Sequence, residues 1–384
     1  MLHLSEEEEE RAQKLHRKYI MFDSMGGLPS LYSDSMLKRL DELIVEKKPA
    51  WTIGNEMEEL SIKELVGNPE YRKKCWETIK QAGVTGVSTT VGALSGPVPF
   101  TYENAVKDLA KWTYMFDALK DIFVKVVRAE DVRMAKKEGK FAVLLNFQNI
   151  THICNELDNL DFFYYAGIRQ IQLTYNTRNF VGDGCTERTD AGLSNFGLEV
   201  VDRMNKLGIL IDLSHCGHKT VMDAIKASDD PVVFTHINCY ALCKHARCKT
   251  DEEIIAVAEK GGYIGLTIVP FFVSEKENPT FDDFLDHVHH VAELVGVDHL
   301  GIGTDDTGQA DVPRQLLDLQ TSLLSTIGFR PEHQARFGVS TRGFEHYVDW
   351  PNFTRGLVSR GYSDQEIQKI LGENFLKVFE KVVG

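Results

Sequence analysis

Positive charge is scarce in this sequence. Its 384 residues include 43 Lys and Arg against 57 Asp and Glu, so the formal net charge is −14. This shortage argues against a surface for nucleic acid or anionic lipid, because both require clustered Lys and Arg. The chain also lacks a stretch near the roughly 18 uninterrupted apolar residues that span a membrane, and its N-terminus lacks the apolar core of a secretory signal. We therefore expect a cytoplasmic protein with no nucleic-acid or membrane partner.

Two common site signatures are also missing. The seven cysteines are scattered without a zinc-finger spacing, and reduced thiols are the default in a chain without a visible signal peptide. No G-x-G-x-x-G opens a helix after the first predicted strand, which argues against a dinucleotide-binding domain. The residues that carry the chemistry must therefore be sought elsewhere.

Short β-branched runs alternate with amphipathic helical stretches along most of the chain. The predicted strands are 18–24, 83–93, 141–147, 168–175, 209–215, 231–236, 262–269 and 299–305. The clearest predicted helices are 102–122, 193–207, 217–228, 250–261 and 281–296. Apolar strands that alternate with helices predict parallel strands covered on both faces, and eight such units predict an α/β fold of the (β/α)₈ TIM-barrel type.

The predicted organisation is one (β/α)₈ barrel domain over residues 1–384. Residues 1–17 are expected to form an N-terminal helical extension, and 346–384 are expected to form extra C-terminal helices packed on the barrel. Ser363 or Asp364 in "YSDQEI" carries a helix-start signal within that last segment.

Three polar residues stand at the ends of predicted strands. His215 closes "ILIDLSH", His236 closes "PVVFTH", and Asp305 follows "GIGT". In a parallel barrel the C-terminal strand ends converge on one mouth, where chemistry takes place. Two imidazoles and a carboxylate suit zinc or a similar divalent ion, and Asp305 could instead take a proton from water as a catalytic base.

Four segments resemble the membrane dipeptidase (renal dipeptidase-like) family of metallopeptidases. They are "LTYNTRNFVGDGCTERTDAGLSNFGLEVVDRMNKLGILIDLSH", "PVVFTHINCYALCKHARCKTDEEIIAVAEKGGYIG", "ELVGVDHLGIGTDDTG" and "ILGENFLKVF". The likeness runs in order from about residue 18 to 381. It implies an amidohydrolase-type barrel that holds two zinc ions and cleaves dipeptides.

The resemblance assigns roles to individual residues. His215 and His236 correspond to ligands of the second metal, and Asp305 to a first-metal ligand that also carries protons. Arg247 in "KHARC" corresponds to the residue that grips the substrate carboxylate, a task suited to a bidentate guanidinium.

The sequence departs from the family pattern at the first metal. Met25 and Gly27 in "DSMGG" stand where His and Asp are typical, and Gln148 in "NFQN" stands where a Glu bridges both metals. Tyr175 in "LTYN" stands where a substrate-binding His is frequent. A thioether and a glycine hydrogen cannot replace imidazole and carboxylate as zinc ligands, so we expect one metal rather than two.

Three functional hypotheses follow. The first is a hydrolase for a small anionic dipeptide-like or amide substrate. It holds one divalent ion, most simply zinc, through His215, His236, water and either Asp305 or Gln148. Asp305 is then the base, and the substrate is oriented by Arg247, Tyr175 and Arg178. The second is a metal-free or one-metal lyase or hydratase acting on a small carboxylate. The third is a catalytically silent barrel that binds a ligand. Members of the family often form dimers, so a homodimer is also left open.

Overall fold

The structure is a computed structural model that describes residues 4–92, 101–335 and 337–384. In these ranges the strands form one parallel sheet, ordered β1-β2-β4-β5-β6-β7-β8-β9, with β3 paired to β4. The strands are β1 Phe22–Asp23, β2 Gly86–Thr90, β3 Phe123–Val126, β4 Phe141–Phe147, β5 Gln170–Gln172, β6 Leu210–Asp212, β7 Val233–Ile237, β8 Tyr263–Leu266 and β9 Leu300–Ile302. The backbone N–H of Ser24 donates to Ile302 O at 3.1 Å, which brings the last strand to the first. The predicted (β/α)₈ barrel is therefore confirmed.

Helices cover the outside of this sheet. They are α1 Glu6–Lys18, α2 Asp34–Val45, α3 Ala50–Gly67, α4 Pro69–Ala82, α5 Thr101–Ala118, α6 Ala129–Glu138, α7 Asp158–Ala166, α8 Asn195–Leu207, α9 His218–Ala227, α10 Asp251–Glu259, α11 Pro270–Val273, α12 Phe281–Val295, α13 Arg314–Leu323, α14 Pro351–Ser359, α15 Asp364–Gln368 and α16 Asn374–Val383. Short 3₁₀ turns lie at Ile150–Ile153, Val297–His299, Pro331–His333 and Tyr347–Asp349, and a π-helical turn lies at Lys369–Glu373. None of the described helices is both long enough and apolar enough to cross a membrane.

Local sequence explains many of the helix ends. Ser363 caps α15 and exchanges hydrogen bonds with Glu366, as the helix-start signal predicted. Thr250 and Thr280 form the same capping box at the starts of α10 and α12. Gly83 and Gly208 end α4 and α8 in the left-handed conformation, which glycine adopts without steric cost.

The structure adds elements that the sequence analysis did not delimit. Strand β3 was missed, because only its first and last residues are buried and its pattern is too short to predict a strand. The helix predicted at 102–122 ends at Ala118 so that this strand can begin. Three helices, α2 to α4, stand between β1 and β2 and place an additional layer beside the barrel mouth.

The centre of the barrel is closed by Ser24, directly after β1. Its hydroxyl oxygen lies 2.7 Å from Thr235 O and 2.9 Å from Ile302 O, so it joins β1 to strands β7 and β9. Gly265 and Gly303 border the same point, and a Cβ at Gly303 would lie 1.9 Å from Thr235 O. These contacts therefore fix the position of strand β7, which carries His236, relative to β1 and β9.

We predict that Gly303→Ala lowers the free energy of unfolding by about 3 kcal/mol, because the added methyl group must displace the β7 backbone. Urea unfolding followed by circular dichroism measures the change. Gly54→Ala is the matched control, since a Cβ at this helical position meets no atom within 4 Å. Equal stability of Gly303→Ala and the wild type would contradict the tight contact.

Candidate active site

The two predicted imidazoles meet at the C-terminal mouth of the barrel. His215 follows β6 and His236 lies within β7, and their Nε2 atoms are 2.8 Å apart. The exposed fractions of the two side chains are 2% and 0%. The sequence prediction that these histidines share one place is therefore matched by their positions.

Asn176 fixes the protonation of the first ring. Its Nδ2 donates to Ile327 O at 2.8 Å, so its Oδ1 must face the imidazole as an acceptor. Oδ1 lies 2.7 Å from Nδ1 of His215. His215 must therefore donate from Nδ1, and in the neutral ring its Nε2 carries a lone pair. This tautomer is assigned from the hydrogen-bond network.

The second ring belongs to a relay that ends on a carboxyl group. Because Nε2 of His215 has no proton, the 2.8 Å contact requires an N–H on Nε2 of His236. The Nδ1 of a neutral His236 then accepts from the Thr235 hydroxyl at 2.8 Å. The oxygen of that hydroxyl lies 2.5 Å from Oδ2 of Asp212, so the relay continues to this buried carboxyl group.

Burial sets the acid–base behaviour of these groups. It raises the pKa of Asp212, while the hydrogen bonds from Ser214 and Thr235 oppose the shift; the Ser214 hydroxyl donates to Oδ1 at 2.6 Å. Burial first, and then the positive charge of Arg247, holds the pKa of both His215 and His236 well below the usual range. Both rings are therefore neutral near pH 7.

Arg247 lies behind the imidazoles rather than in open solvent. Its exposed fraction is 1%, and its guanidinium donates to Ser214 O at 2.7 Å and to His236 O at 2.9 Å. Its buried Nε has no hydrogen-bond acceptor within the residues that the structure describes. Arg247 thus ties the ends of β6 and β7 together and keeps one N–H donor unused.

Tyr175 and Asp305 complete the wall around the pair. The Tyr175 ring stacks on His215, with centroids 3.9 Å apart, and burial raises the pKa of its phenol, so it remains a hydroxyl donor. Asp305 has a left-handed backbone, with φ 57°, and its N–H donates to Met25 O at 2.8 Å. Loss of water contact raises the pKa of the Asp305 carboxyl to about 7, with Arg247 opposing the shift and Asp306 adding to it.

The opposite half of the mouth is filled by the chain itself. Met25 is buried, and its Sδ lies 2.9 Å from Nε2 of Gln148, which donates to it. Asp23 is also buried; its two oxygens accept from the backbone N–H of Thr304 at 2.9 Å and from the Thr304 hydroxyl at 2.6 Å. A Cβ at Gly27 would lie 2.1 Å from Thr307 O. Among the residues that the structure describes here, Met25, Gly27 and Gln148 offer a metal neither an imidazole nor a carboxylate.

Arg178 lies on the loop after β5, with its side chain half exposed. It forms a salt bridge to the buried Asp183 and also donates to Thr189 O at 2.9 Å. These bonds occupy much of its guanidinium with the loop itself, whereas Tyr175 reaches the imidazole pair directly.

The donor set fits one metal ion better than two. Two tetrahedral zinc ligands stand about 3.3 Å apart at ordinary Zn–N distances, so the Nε2 atoms of His215 and His236 would have to separate only slightly. Asn176 and Thr235 already orient both rings from behind, as outer hydrogen-bond partners of metal ligands do. No group of three His, Cys, Asp or Glu side chains suited to a metal occurs in the described part of the chain. A third protein ligand therefore requires a side-chain movement.

Sequence reasoning missed four residues of this network: Asp212, Ser214, Asn176 and Thr235. A signal was present for two of them, because Asp212 and Ser214 interrupt an apolar strand just before the histidine in "IDLSH". Buried polar residues in such a run require hydrogen-bond partners. Asn176 gave no such signal, because its partner Ile327 is 151 residues away.

We predict that Thr235→Val lowers the free energy of unfolding by about 2 kcal/mol, because Oδ2 of Asp212 and Nδ1 of His236 each lose the hydroxyl that they contact. Thr235→Ser, which keeps the hydroxyl, is the control and should lie near the wild type. Urea unfolding at neutral pH measures both variants; an equal loss in the two would show that the methyl group matters rather than the relay.

Asp212→Asn keeps the shape of the side chain and removes its charge. The raised pKa of Asp212 in the folded protein means that the wild type loses stability as the pH rises from the unfolded-state pKa through the folded-state pKa. The variant lacks that loss, so its stability relative to the wild type should increase with pH. Urea unfolding across the pH range measures the difference, and a pH-independent difference would contradict the raised pKa of Asp212.

Comparison with known proteins gives one consistent result. The model of the membrane dipeptidase family, peptidase family M19, matches residues 9–324 and 335–383. The curated dipeptidase tcpJ of Claviceps purpurea is 29% identical over 258 residues; the match covers 66% of this chain and 54% of that protein, so the chain spans about half of its length.

Solved structures agree in fold. An amidohydrolase from Pseudomonas aeruginosa has a TM-score of 0.77 and 28% identity, with 97% of this chain and 99% of that chain covered. A metallo peptidase from Rhodobacter sphaeroides, liganded with a phosphinate mimic of the dipeptide L-Ala-D-Ala, has a TM-score of 0.70 and 19% identity, with 95% and 99% covered. The resemblance inferred from the sequence motifs is confirmed by the family match.

Proposed function

Because the chain belongs to the membrane dipeptidase family, peptidase family M19, we propose that it hydrolyses a small, anionic, dipeptide-like or amide substrate with one divalent metal ion rather than two. Membership makes it a metallo-dipeptidase-like hydrolase by class. The observation that carries the proposal is the asymmetry of the mouth. Two imidazoles face each other on one side, whereas Met25, Gly27 and Gln148 supply no imidazole or carboxylate to the other side.

His215 and His236 would hold the ion, which we propose to be zinc, through their Nε2 atoms. Asp305 is the third protein ligand best suited by charge, since the amide of Gln148 is bonded to Met25. When bound, such an ion supplies Lewis acidity toward a carbonyl and activates water. To present both lone pairs, His236 must carry its proton on Nδ1 and donate to Thr235, and Asp212 would accept from Thr235 as a carboxylate.

The remaining side chains have separate tasks in this proposal. Asp305, half-buried and able to exist in both protonation states near neutral pH, accepts the proton of the attacking water. The Tyr175 hydroxyl donates to the substrate from its stacked position on His215. Arg247 contributes a buried positive charge and one free N–H, which favours an anionic group, and Arg178 orders the loop that borders the mouth.

The metal-free alternative is favoured by a specific observation. The two rings already satisfy each other through a complete hydrogen-bond relay, and no third metal-binding side chain is grouped with them in the described ranges. A lyase or hydratase for a small carboxylate, or a silent ligand-binding barrel, could use Asp305, Tyr175 and Arg247 in that state. Measurement of the metal content distinguishes these metal-free alternatives from the one-metal hydrolase.

We predict that protein purified without chelator contains about one equivalent of zinc or another divalent ion, and that His215→Ala reduces this to near zero, because a single remaining imidazole holds such an ion weakly. Elemental analysis by mass spectrometry measures the content. His289→Ala is the control, since this exposed histidine pairs with Glu293 on helix α12. Two equivalents in the wild type would overturn the one-metal proposal, and none would favour the metal-free alternatives.

We predict that Asp305→Asn reduces the kcat for amide hydrolysis by about 100-fold or more, the usual contribution of a positioned base. The dipeptide L-Ala-D-Ala is a suitable first substrate, with metal content measured in parallel. Asp318→Asn, on the exposed face of α13, should keep the wild-type rate. Unchanged hydrolysis by Asp305→Asn at full metal content would remove this residue from the catalytic role.

The homodimer and the cytoplasmic location remain predictions. Light scattering on the purified chain tests the first, and cell fractionation tests the second.

A further inference from the structure

A cavity of about 160 Å³ lies between the barrel rim and the helices α2 to α5. Thr90 at the end of β2, Gly27 after β1 and Thr307 after β9 form its barrel side. An apolar cavity of about 150 Å³ accommodates one benzene-sized molecule. This cavity therefore has room for a single aromatic ring or a branched aliphatic chain.

The walls are mainly apolar, with one acidic group among them. Met57 and Ile62 of α3 and Met115 of α5 supply apolar surface, and Glu58 of α3 lines the same space. The indole of Trp112 is a neighbour of the Glu58 carboxyl. Its buried Nε1–H has no acceptor in good hydrogen-bond geometry within the described ranges.

Glu58 also lacks a cation of its own. Lys111 forms its salt bridge with Asp108, at 2.6 Å, and the other oxygen of Asp108 accepts from the N–H of Gly92 at 3.1 Å. No salt bridge to Glu58 is found in the part of the chain that the structure describes. Burial first, and then the charge of Asp108, raises the pKa of Glu58 to about 7. The charge of Lys111 and the Trp112 indole oppose this shift only in part, so a ligand cation would stabilise the Glu58 carboxylate further.

We infer that this cavity binds a small apolar primary amine. The ring or branched chain of the amine packs against Met57, Ile62 and Met115, and its ammonium group donates to Glu58. Carboxylate ligands are disfavoured, because Glu58 and Asp108 would both repel them. The Lys111 charge is shared between Asp108 and Glu58, so it offsets only part of this repulsion.

The cavity adjoins the imidazole site without sharing its histidines. Thr90 lines the cavity, and its hydroxyl lies 3.7 Å from Sδ of Met25 in the filled half of the mouth. The amine site needs neither His215 nor a metal ion, so it stands independently of the proposed function. His215→Ala should keep the amine affinity of the wild type.

Calorimetry with benzylamine on the full chain tests the inference, at a pH about one unit above the pKa of Glu58. Benzyl alcohol and benzoate serve as neutral and anionic ligands of similar shape. We expect benzylamine to bind at one site and roughly tenfold more tightly than benzyl alcohol, the usual gain from a charge-assisted hydrogen bond. Benzoate should bind more weakly than both. Equal affinity for amine and alcohol would overturn the role of the carboxylate.

Glu58→Gln should weaken benzylamine binding about tenfold and leave benzyl alcohol unchanged, because it removes charge but keeps shape. Glu59→Gln on the same helix is the matched control, since Glu59 pairs with Lys63 at 2.6 Å. Glu58→Asp provides a second variant, in which the carboxylate withdraws by one methylene and affinity should fall partly. Wild-type affinity in both Glu58 variants would refute the assignment.

Two glycines on α3 test the location of the site. Gly54 lines the cavity and Gly67 does not, and a Cβ at either position meets no atom within 4 Å. Gly54→Leu should therefore narrow the cavity and weaken both benzylamine and benzyl alcohol, whereas Gly67→Leu should weaken neither. The same affinity in all three proteins would place the amine elsewhere.

Discussion

The mouth of this barrel depends on one contact, the hydrogen bond between the Nε2 atoms of His215 and His236. At 2.8 Å it requires a proton between two neutral rings. The residues packed behind the two rings determine which nitrogen carries that proton. Asn176 sets the first ring through its own bond to Ile327, and Thr235 sets the second through Asp212. The pair is therefore oriented by groups that lie behind the two rings.

The direction of the hydrogen bonds between His236, Thr235 and Asp212 would reverse if a metal ion bound to the two rings. If both Nε2 lone pairs turn to an ion, the proton on His236 moves to Nδ1, and Thr235 donates toward Asp212. In that arrangement Asp212 would accept the hydrogen bond as a carboxylate. Its buried negative charge would lie two hydrogen bonds from the ion and partly balance it.

Sequence predicted the barrel well because its evidence is local. Eight apolar runs correspond to the eight strands of the main sheet path, and the strand ends carry His215, His236 and Asp305. Strand β3 was not predicted, because two of its four residues are only partly buried. The relay escaped because it depends on contacts between distant segments, such as Asn176 with Ile327. The family resemblance drew attention to Met25 and Gln148, but only the fold shows that they contact each other.

Two other residues show how tertiary contacts refine a motif. Arg247 was expected to grip a carboxylate, and its guanidinium also donates to the backbone carbonyls of Ser214 and His236. Arg178 was expected to help orient the substrate, and its guanidinium forms a salt bridge to Asp183. The spacing of residues in the sequence does not predict these hydrogen bonds of Arg247 and Arg178, because both depend on how loops fold over the strand ends.

The close packing at Gly27 also limits how this sequence can change over time. Any side chain there, beginning with its first carbon, would collide with the carbonyl of Thr307. An aspartate, which the family resemblance gives as typical here, could occupy this position only if the backbone after β9 shifted at the same time. A single substitution at this position is thus blocked by sterics, and the two segments must change together.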